Sequence, residues 1–156
     1  WDGKKVVFFG DGDCNMGRSW AWAAKRLGFE LVIAAPGAFQ PADEFMVRLG
    51  DAPVTLTEDV EAAARGADVL YTDTWVSMGR EAEAEDRLRV LAPFQIHSGL
   101  VRLAKPGAIV QHCLPAYRDK EICGVLFEER ADEMFRQAEN RLHIQKAILL
   151  ALAPSA

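Results

Sequence analysis

The sequence predicts an α/β fold: an open, doubly wound parallel sheet of about five strands with helices on both faces, a Rossmann-like arrangement. Two observations favour it. Short β-branched or aromatic runs alternate with helical patterns along the chain, which is typical of parallel strands joined by right-handed crossovers. The apolar residues within each run are continuous, as expected for buried strands. Ligands of such sheets bind beyond the carboxyl ends of the strands.

Five strands are predicted from β-branched or aromatic runs that are flanked by Gly, Pro or Asp residues. They are residues 5–10, 30–35, Val54–Thr57, 68–73 and 108–113. We expect each of them to be a buried parallel strand.

Six helices are predicted between and after these strands. They are Asn15–Leu27, 41–49, 59–65, 81–91, 98–104 and 136–153. Gly28, Gly50 and Gly66 mark three helix ends. The last helix has a broad apolar face.

Length and composition indicate one globular domain over residues 1–156. Half of the 156 residues are hydrophobic, and a chain of this length buries roughly two thirds of its surface without a disulfide or structural metal. The longest apolar run, residues 147–153, is far below the ~20 residues of a membrane span. We therefore expect a cytoplasmic protein with no membrane partner.

The charged residues argue against a nucleic-acid-binding protein, and the cysteines argue against a metal site. There are 18 Lys+Arg and 23 Asp+Glu, for a net charge of -5, and no basic stripe, which argues against a nucleic-acid partner. The three cysteines, Cys14, Cys113 and Cys123, are odd in number and lack metal-binding spacing. We expect reduced thiols and no metal site.

The loop after the first strand resembles half of a dinucleotide-binding fingerprint. Gly10 and Gly12 match its first two glycines, but Asn15 stands at the third. The acid expected after the second strand is replaced by Ala35 and Pro36. No nicotinamide cofactor, and no other cofactor, is predicted. The loop either caps the next helix or binds a ligand.

A phospho-accepting receiver domain is a second interpretation of this loop. Asp11 and Asp13 follow the first strand, as that class requires. The class also needs an aspartate on the third strand and a lysine after the last. Thr57 and His112 stand at those places, so this interpretation is rejected.

The end of the fourth strand carries Asp73, followed by Ser77 and Gly79. A carboxylate, a hydroxyl and a glycine there suit either a binding loop or a capping turn. The charged residues 80–89 behind them are expected to form a solvated helix face.

The end of the fifth strand carries His112, Cys113 and Pro115. Neighbouring strand residues point to opposite faces, so His112 and Cys113 cannot form a catalytic dyad. Pro115 suits a cis bond. Neither His97 nor His143 is spaced to serve Cys113 as a base. From the residues alone, Cys113 is either functional or an apolar filler.

Three motifs in order, DTWVSMG at 73–79, HCLP at 112–115 and AENRLH at 138–143, resemble the second domain of ornithine carbamoyltransferases. The resemblance covers essentially the whole chain. Related enzymes that use aspartate typically have a proline where Cys113 stands.

The resemblance implies transfer of the carbamoyl group from carbamoyl phosphate to the side-chain amine of ornithine, giving citrulline and phosphate. The implied substrate-binding residues are Asn15, Asp73, Ser77, Met78 and Leu114. Cys113 resembles the residue that contacts the reacting amine, and Arg141 the one that reaches the carbamoyl oxygen. The backbone carbonyls of Cys113 and Leu114 resemble the acceptors for the amide nitrogen of carbamoyl phosphate.

Elementary chemistry fits these roles. The side-chain amine of free ornithine is protonated near neutral pH and must lose a proton before it can attack. An ionised Cys113 near this amine would favour that loss, while Asp73 would bind the α-ammonium. Arg141 would polarise the carbonyl, and no covalent intermediate is required.

Several departures from the family pattern are visible. Cys14 replaces a usual asparagine and Asp13 adds acidity, which could loosen binding of the ornithine carboxylate. Residues 122–125 lack common acidic residues. The family's Ser-Thr-Arg-Thr phosphate loop is missing, so the carbamoyl-phosphate domain is absent from this chain. We expect the isolated chain to be inactive, and the complete enzyme to be a trimer-based homo-oligomer.

Two alternatives remain open. The chain could be a non-catalytic module that only binds an amino acid, or a related carbamoyltransferase acting on another amine, such as putrescine or an acylated ornithine. Asn15 and Ser77 favour free ornithine, because its α-carboxylate and α-amine need partners.

Overall fold

The computed structural model describes residues 1–76 and 81–153. Its sheet is parallel, with the strand order β3-β2-β1-β4-β5. The strands are β1 Lys5–Phe9, β2 Glu30–Ala34, β3 Val54–Thr57, β4 Val69–Thr72 and β5 Ile109–His112. The predicted fold class and all five predicted strands are confirmed, with boundaries one residue shorter at several ends.

Six α-helices connect or follow these strands in the described ranges. They are α1 Asn15–Leu27, α2 Asp43–Leu49, α3 Val60–Ala64, α4 Ala84–Leu91, α5 Ser98–Val101 and α6 Gly124–Leu152. Gly28 adopts the left-handed conformation that ends α1, with φ 77°. Although α6 has 29 residues, none of the described helices is both long and apolar enough to cross a membrane.

The sheet separates two hydrophobic cores. Val6 and Phe8 of β1 face one core, to which α1 and α2 contribute, while Val7 and Phe9 face the other, to which α3, α5 and α6 contribute. All four side chains are fully buried. The continuous apolar run in β1 is therefore explained by helices on both faces.

Two predictions about elements are wrong in part. β3 pairs only with β2 within the described sheet, and its residues are at most half-buried, because an edge strand is covered less than a central one. The last helix begins at Gly124 rather than at residue 136. No proline or further glycine lies between Gly124 and Leu152, and Leu, Glu, Arg and Ala predominate there, so helix propagation is favoured.

The two halves of α6 have different surroundings. Leu126, Phe127 and Met134 of the first half are buried against the sheet. From Ala138 onward every described residue of α6 is exposed, including Leu149 and Leu152. The predicted apolar face is therefore present but exposed.

Candidate active site

A cleft of about 640 Å³ opens where the carboxyl ends of β4 and β5 meet α1 and α6. This is the edge of a parallel sheet where ligands bind. The cleft is lined by Asn15, Met16, Tyr71, Asp73, Cys113, Leu114, Gln137, Ala138, Asn140, Arg141 and Ile144.

All predicted site residues in the described part of the chain line this one cleft. Asn15 is the first residue of α1, and Asp73 follows β4. Cys113 and Leu114 follow β5, and Arg141 lies on α6. Elements distant in sequence therefore meet at one place.

The two remaining predicted residues, Ser77 and Met78, lie outside the described ranges.

Asp73 has unequal hydrogen bonding at its two carboxylate oxygens. Oδ1 accepts from Cys113 Sγ at 2.9 Å, from Thr74 N at 2.7 Å and from Thr74 Oγ1 at 3.1 Å. Oδ2 has only Cys14 Sγ, at 4.0 Å, among the described residues. Within these ranges no lysine, arginine or histidine forms an ion pair with Asp73. No cation of the described residues therefore neutralises the Asp73 carboxylate.

The surroundings of the Cys113 thiol favour its protonated form. Burial first, and the hydrogen bond and charge of Asp73 next, raise the pKa of Cys113 from 9.0 to about 12. Without a cationic ligand, apolar surroundings and a neighbouring carboxylate both disfavour a thiolate, so an ionised Cys113 beside the ornithine amine stays a prediction. Cys113 Sγ donates a hydrogen bond to Asp73 Oδ1.

The family departures at Cys14 and Asp13 have local partners. Cys14 caps α1 by accepting from Gly17 N at 3.4 Å, and burial, as the largest cause, raises its pKa to about 12. Asp13 pairs with Arg18 through contacts of 2.8 and 2.9 Å. The extra acid is thus matched by a cation on the next turn.

Tyr71 and Gln137 line the cleft but were missed by the sequence analysis. Gln137 Nε2 donates to the Tyr71 hydroxyl at 3.0 Å, and burial is the main cause that raises the pKa of Tyr71 above its usual value. Tyr71 lies two residues before Asp73, and Gln137 four before Arg141. Periods of two in a strand and four in a helix would have identified both.

Arg141 lies on the exposed half of α6. Its guanidinium has no hydrogen bond or ion pair with the described residues, although it borders the same cleft as Asp73. The positively charged guanidinium of Arg141 on one wall and the carboxylate of Asp73 on the other suit a ligand with separated polar groups.

The histidines have other partners than Cys113. His112 is fully buried and contacts Glu121, whereas Cys113 contacts Asp73, which confirms that these neighbours form no dyad. His97 caps α5, and His143 lies near Glu139 on α6. The Leu114–Pro115 bond is cis, as Pro115 suggested.

The charged stretch predicted to be a solvated helix face is described from residue 81 onward, and this part is not wholly solvated. Arg87 is buried, pairs with Asp11, and donates from Nε to the Trp75 carbonyl at 2.6 Å. Its guanidinium also lies 4.8 Å from the centre of the Phe39 ring. The helix periodicity directs Arg87 inward, toward the segments that follow β1, β2 and β4, while Arg89 stays exposed.

Metal-ligating side chains do not cluster in the described part of the chain: no group of three His, Cys, Asp or Glu is placed to hold an ion there. The three cysteines are free thiols.

Comparison with known proteins places this chain in a family. Residues 2–152 match the family described as aspartate/ornithine carbamoyltransferase, Asp/Orn binding domain. An ornithine carbamoyltransferase of Akkermansia muciniphila is 48% identical over 153 residues, covering 98% of this chain and 50% of the relative. One from Campylobacter curvus is 44% identical, covering 96% and 51%. The chain thus spans about half the length of the curated relatives it matches.

Solved structures agree with the sequence comparison. The anabolic ornithine carbamoyltransferase of Campylobacter jejuni has a TM-score of 0.89 at 40% identity, over 97% of this chain and 52% of that chain. The Pyrococcus furiosus enzyme has a TM-score of 0.82 at 40% identity, over 94% and 49%. The chain therefore belongs to the aspartate/ornithine carbamoyltransferase family and matches its Asp/Orn binding domain.

Proposed function

We propose that this chain is the ornithine-binding half of an ornithine carbamoyltransferase. The side-chain amine of ornithine attacks the carbonyl carbon of carbamoyl phosphate, forming a C–N bond. The bond from carbon to the phosphate oxygen breaks and the amine loses a proton, leaving citrulline and inorganic phosphate. The main support is that Asp73, Cys113 and Arg141 border one cleft in a chain of this family.

The ornithine backbone binds between Asp73 and the start of α1. Asp73 Oδ2, with only a distant thiol beside it, accepts from the α-ammonium. Asn15, at the first position of α1, binds the α-carboxylate. The first turn of α1 contains no acidic residue, and the positive end of a helix dipole favours an anion. Ser77 and Met78 complete the ornithine-binding set.

The reaction centre lies beside Cys113. The side-chain ammonium group of ornithine, on arrival, competes with the Cys113 thiol for Asp73 Oδ1. Its positive charge lowers the pKa of the thiol from the value in the empty site. Arg141 polarises the carbonyl oxygen of carbamoyl phosphate, and the backbone carbonyls of Cys113 and Leu114 accept from its amide nitrogen. Rate enhancement comes from proximity and electrostatic stabilisation.

The phosphate is held by the other half of the complete enzyme, the part of the relatives that these residues do not match. The relatives are about twice as long as the chain, and the family's phosphate loop is absent from these residues. The complete enzyme is a trimer-based homo-oligomer in the cytoplasm. Three free thiols suit a reducing compartment.

Reconstitution of activity tests this function. The chain is joined to the half of the A. muciniphila enzyme that it does not match, giving what we call the joined protein. Incubation with ornithine and carbamoyl phosphate should yield citrulline and phosphate in equal amounts, whereas the isolated chain should yield neither. Absence of citrulline from a folded joined protein contradicts the proposal, and equal rates from the isolated chain contradict the two-domain division.

The same assay separates the remaining alternatives. Putrescine and N-acetylornithine replace ornithine in parallel reactions, and faster carbamoylation of either would assign another substrate. A joined protein that binds ornithine by calorimetry but forms no carbamoylated product would be a binding module.

A further inference from the structure

A buried histidine and glutamate lie directly behind the cleft. The side chains of His112 and Glu121 are both fully buried, with His112 Nε2 at 3.0 Å from Glu121 Oε1. The same oxygen accepts from Tyr117 N at 2.7 Å. None of the three residues lines the cleft, so direct substrate contact does not explain this arrangement.

The second ring nitrogen of His112 contacts the backbone of the cleft. Leu114 N donates to His112 Nδ1 at 2.8 Å. A backbone amide can only donate, so Nδ1 must be unprotonated and the ring proton must lie on Nε2, facing Glu121. Glu121 therefore selects the tautomer that can accept the Leu114 amide.

The backbone held in this way is in an unusual conformation. Leu114 has φ 57°, in the left-handed region that leucine rarely adopts. Residues in such conformations persist when surrounding contacts hold them, and they concentrate at functional sites. The bond to His112 constrains the segment whose carbonyls are proposed to accept from carbamoyl phosphate.

We propose that His112 is a positioning residue: oriented by Glu121, it fixes the Leu114 amide and so directs the carbonyls of Cys113 and Leu114 toward carbamoyl phosphate. The inference rests on the proposed function for its kinetic consequence. Its geometric content, the tautomer and the bond to Leu114, stands on contacts within this chain.

Two substitutions separate the contacts of His112. Asn at 112 has an oxygen near the position of Nδ1 and can accept from the amide two residues ahead, as in an Asx turn. Gln at 112 reaches toward Glu121 but loses the acceptor for Leu114. Both variants remove one buried hydrogen bond, so both should lower the melting temperature.

The two variants should differ in kinetics when measured in the joined protein. His112→Gln should lower kcat/KM for carbamoyl phosphate at least about tenfold, with KM for ornithine nearly unchanged, whereas His112→Asn should stay within about threefold of the parent. Equal kcat/KM for the two variants, or a His112→Gln value within threefold of the parent, would overturn the positioning role.

His97 provides a matched control. Its Nδ1 also accepts from the amide two residues ahead, Gly99 N at 3.1 Å, but it does not line the cleft. His97→Gln breaks the same type of bond and should leave both KM values and kcat unchanged. A loss equal to that of His112→Gln would mean that the kinetic effect is not specific to the cleft, and would overturn the inference.

A spectroscopic measurement tests the geometry in the parent protein, without reference to kinetics. In the ¹⁵N-histidine-labelled joined protein, with His112 assigned by its absence in His112→Asn, Nδ1 should be unprotonated and Nε2 protonated. Protonation at Nδ1 would overturn the inference even if activity is normal. A parent protein that makes no citrulline but has the expected tautomer would instead overturn the proposed function and leave the geometry standing.

Discussion

Two aspartates flank β4, and their surroundings differ in charge. Asp68, just before the strand, accepts from Lys105 Nζ at 2.7 Å, from Lys4 Nζ at 3.2 Å and from Lys5 N at 2.9 Å. Asp73, just after it, contacts thiols, a hydroxyl and one backbone amide. The lysines and the amide lower the pKa of Asp68 from 3.8 to about 2, with the Lys105 hydrogen bond as the largest cause.

The difference distinguishes a structural carboxylate from one available for binding. The negative charge of Asp68 is matched within the fold at the amino edge of the sheet. Asp73, at the carboxyl edge, has no cationic partner among the described residues. A bound ammonium group would supply the missing positive charge, which is why we assign ligand binding to one end of β4 only.

The largest effect is expected from removing the thiol partner of Asp73. Cys113→Ala should lower the turnover of the joined protein at least about 100-fold, because the group beside the reacting amine is lost. Cys123→Ala is the matched control, since Cys123 is also a partly buried free thiol but does not line the cleft. A decrease of less than about threefold in steady-state turnover for Cys113→Ala would remove Cys113 from the mechanism.

The two aspartates themselves provide the next comparison. Asp73→Asn should raise KM for ornithine about 30-fold or more, as expected when a charge-assisted hydrogen bond to an ammonium group is lost. Asp68→Asn changes the same functional group at the other end of β4 and should leave this KM unchanged. If both variants raise KM equally, the distinction between the two carboxylates is wrong.

Asp73→Asn should also change the titration of Cys113. Removing the carboxylate removes the second and third causes of the raised pKa, so the pKa should fall from about 12, while burial still holds it above 9.0. Alkylation rates measured against pH, with peptide-level mass spectrometry to separate the three cysteines, report this change. An unchanged or higher pKa would show that Asp73 has no influence on the thiol.

The smallest effect concerns acid stability and Asp68. Because folding lowers the pKa of Asp68, its contribution to stability is complete above about pH 4 and is lost as the pH falls through 4 towards 2. Asp68→Asn should lower the free energy of unfolding at pH 7 by about 1 kcal/mol, since its lysine partners are largely exposed. The free energy of unfolding of the variant, measured by urea titration, should vary less between pH 4 and 2 than that of the parent protein. Identical acid profiles for variant and parent would contradict this role.

The strand positions were predictable because their signal is local. Continuous apolar runs bounded by Gly, Pro or Asp locate all five strands to within about one residue. The partial burial of β3 depends on its place at the sheet edge, and the helical segment 124–135 has no cap signal in the sequence. Both depend on tertiary context rather than on the local pattern.

Several residues of the candidate site were predictable from the sequence, but their chemical state was not. Strand-end residues and a family resemblance selected Asp73, Cys113 and Arg141, and all three border one cleft. The protonation of Cys113 depends on burial and on its 2.9 Å contact with Asp73, and the Leu114 amide bond to His112 depends on backbone geometry. Sequence spacing reports neither quantity.

The unbroken course of α6 makes the position of Arg141 sensitive to helical phase. Met134 is packed in the core and Arg141 lies seven residues later on the same helix, about two turns away. One residue inserted between them would rotate the guanidinium by about 100° and advance it about 1.5 Å, while the core packing of the first half is retained. The number of residues between Met134 and Arg141 therefore determines whether the guanidinium faces the cleft.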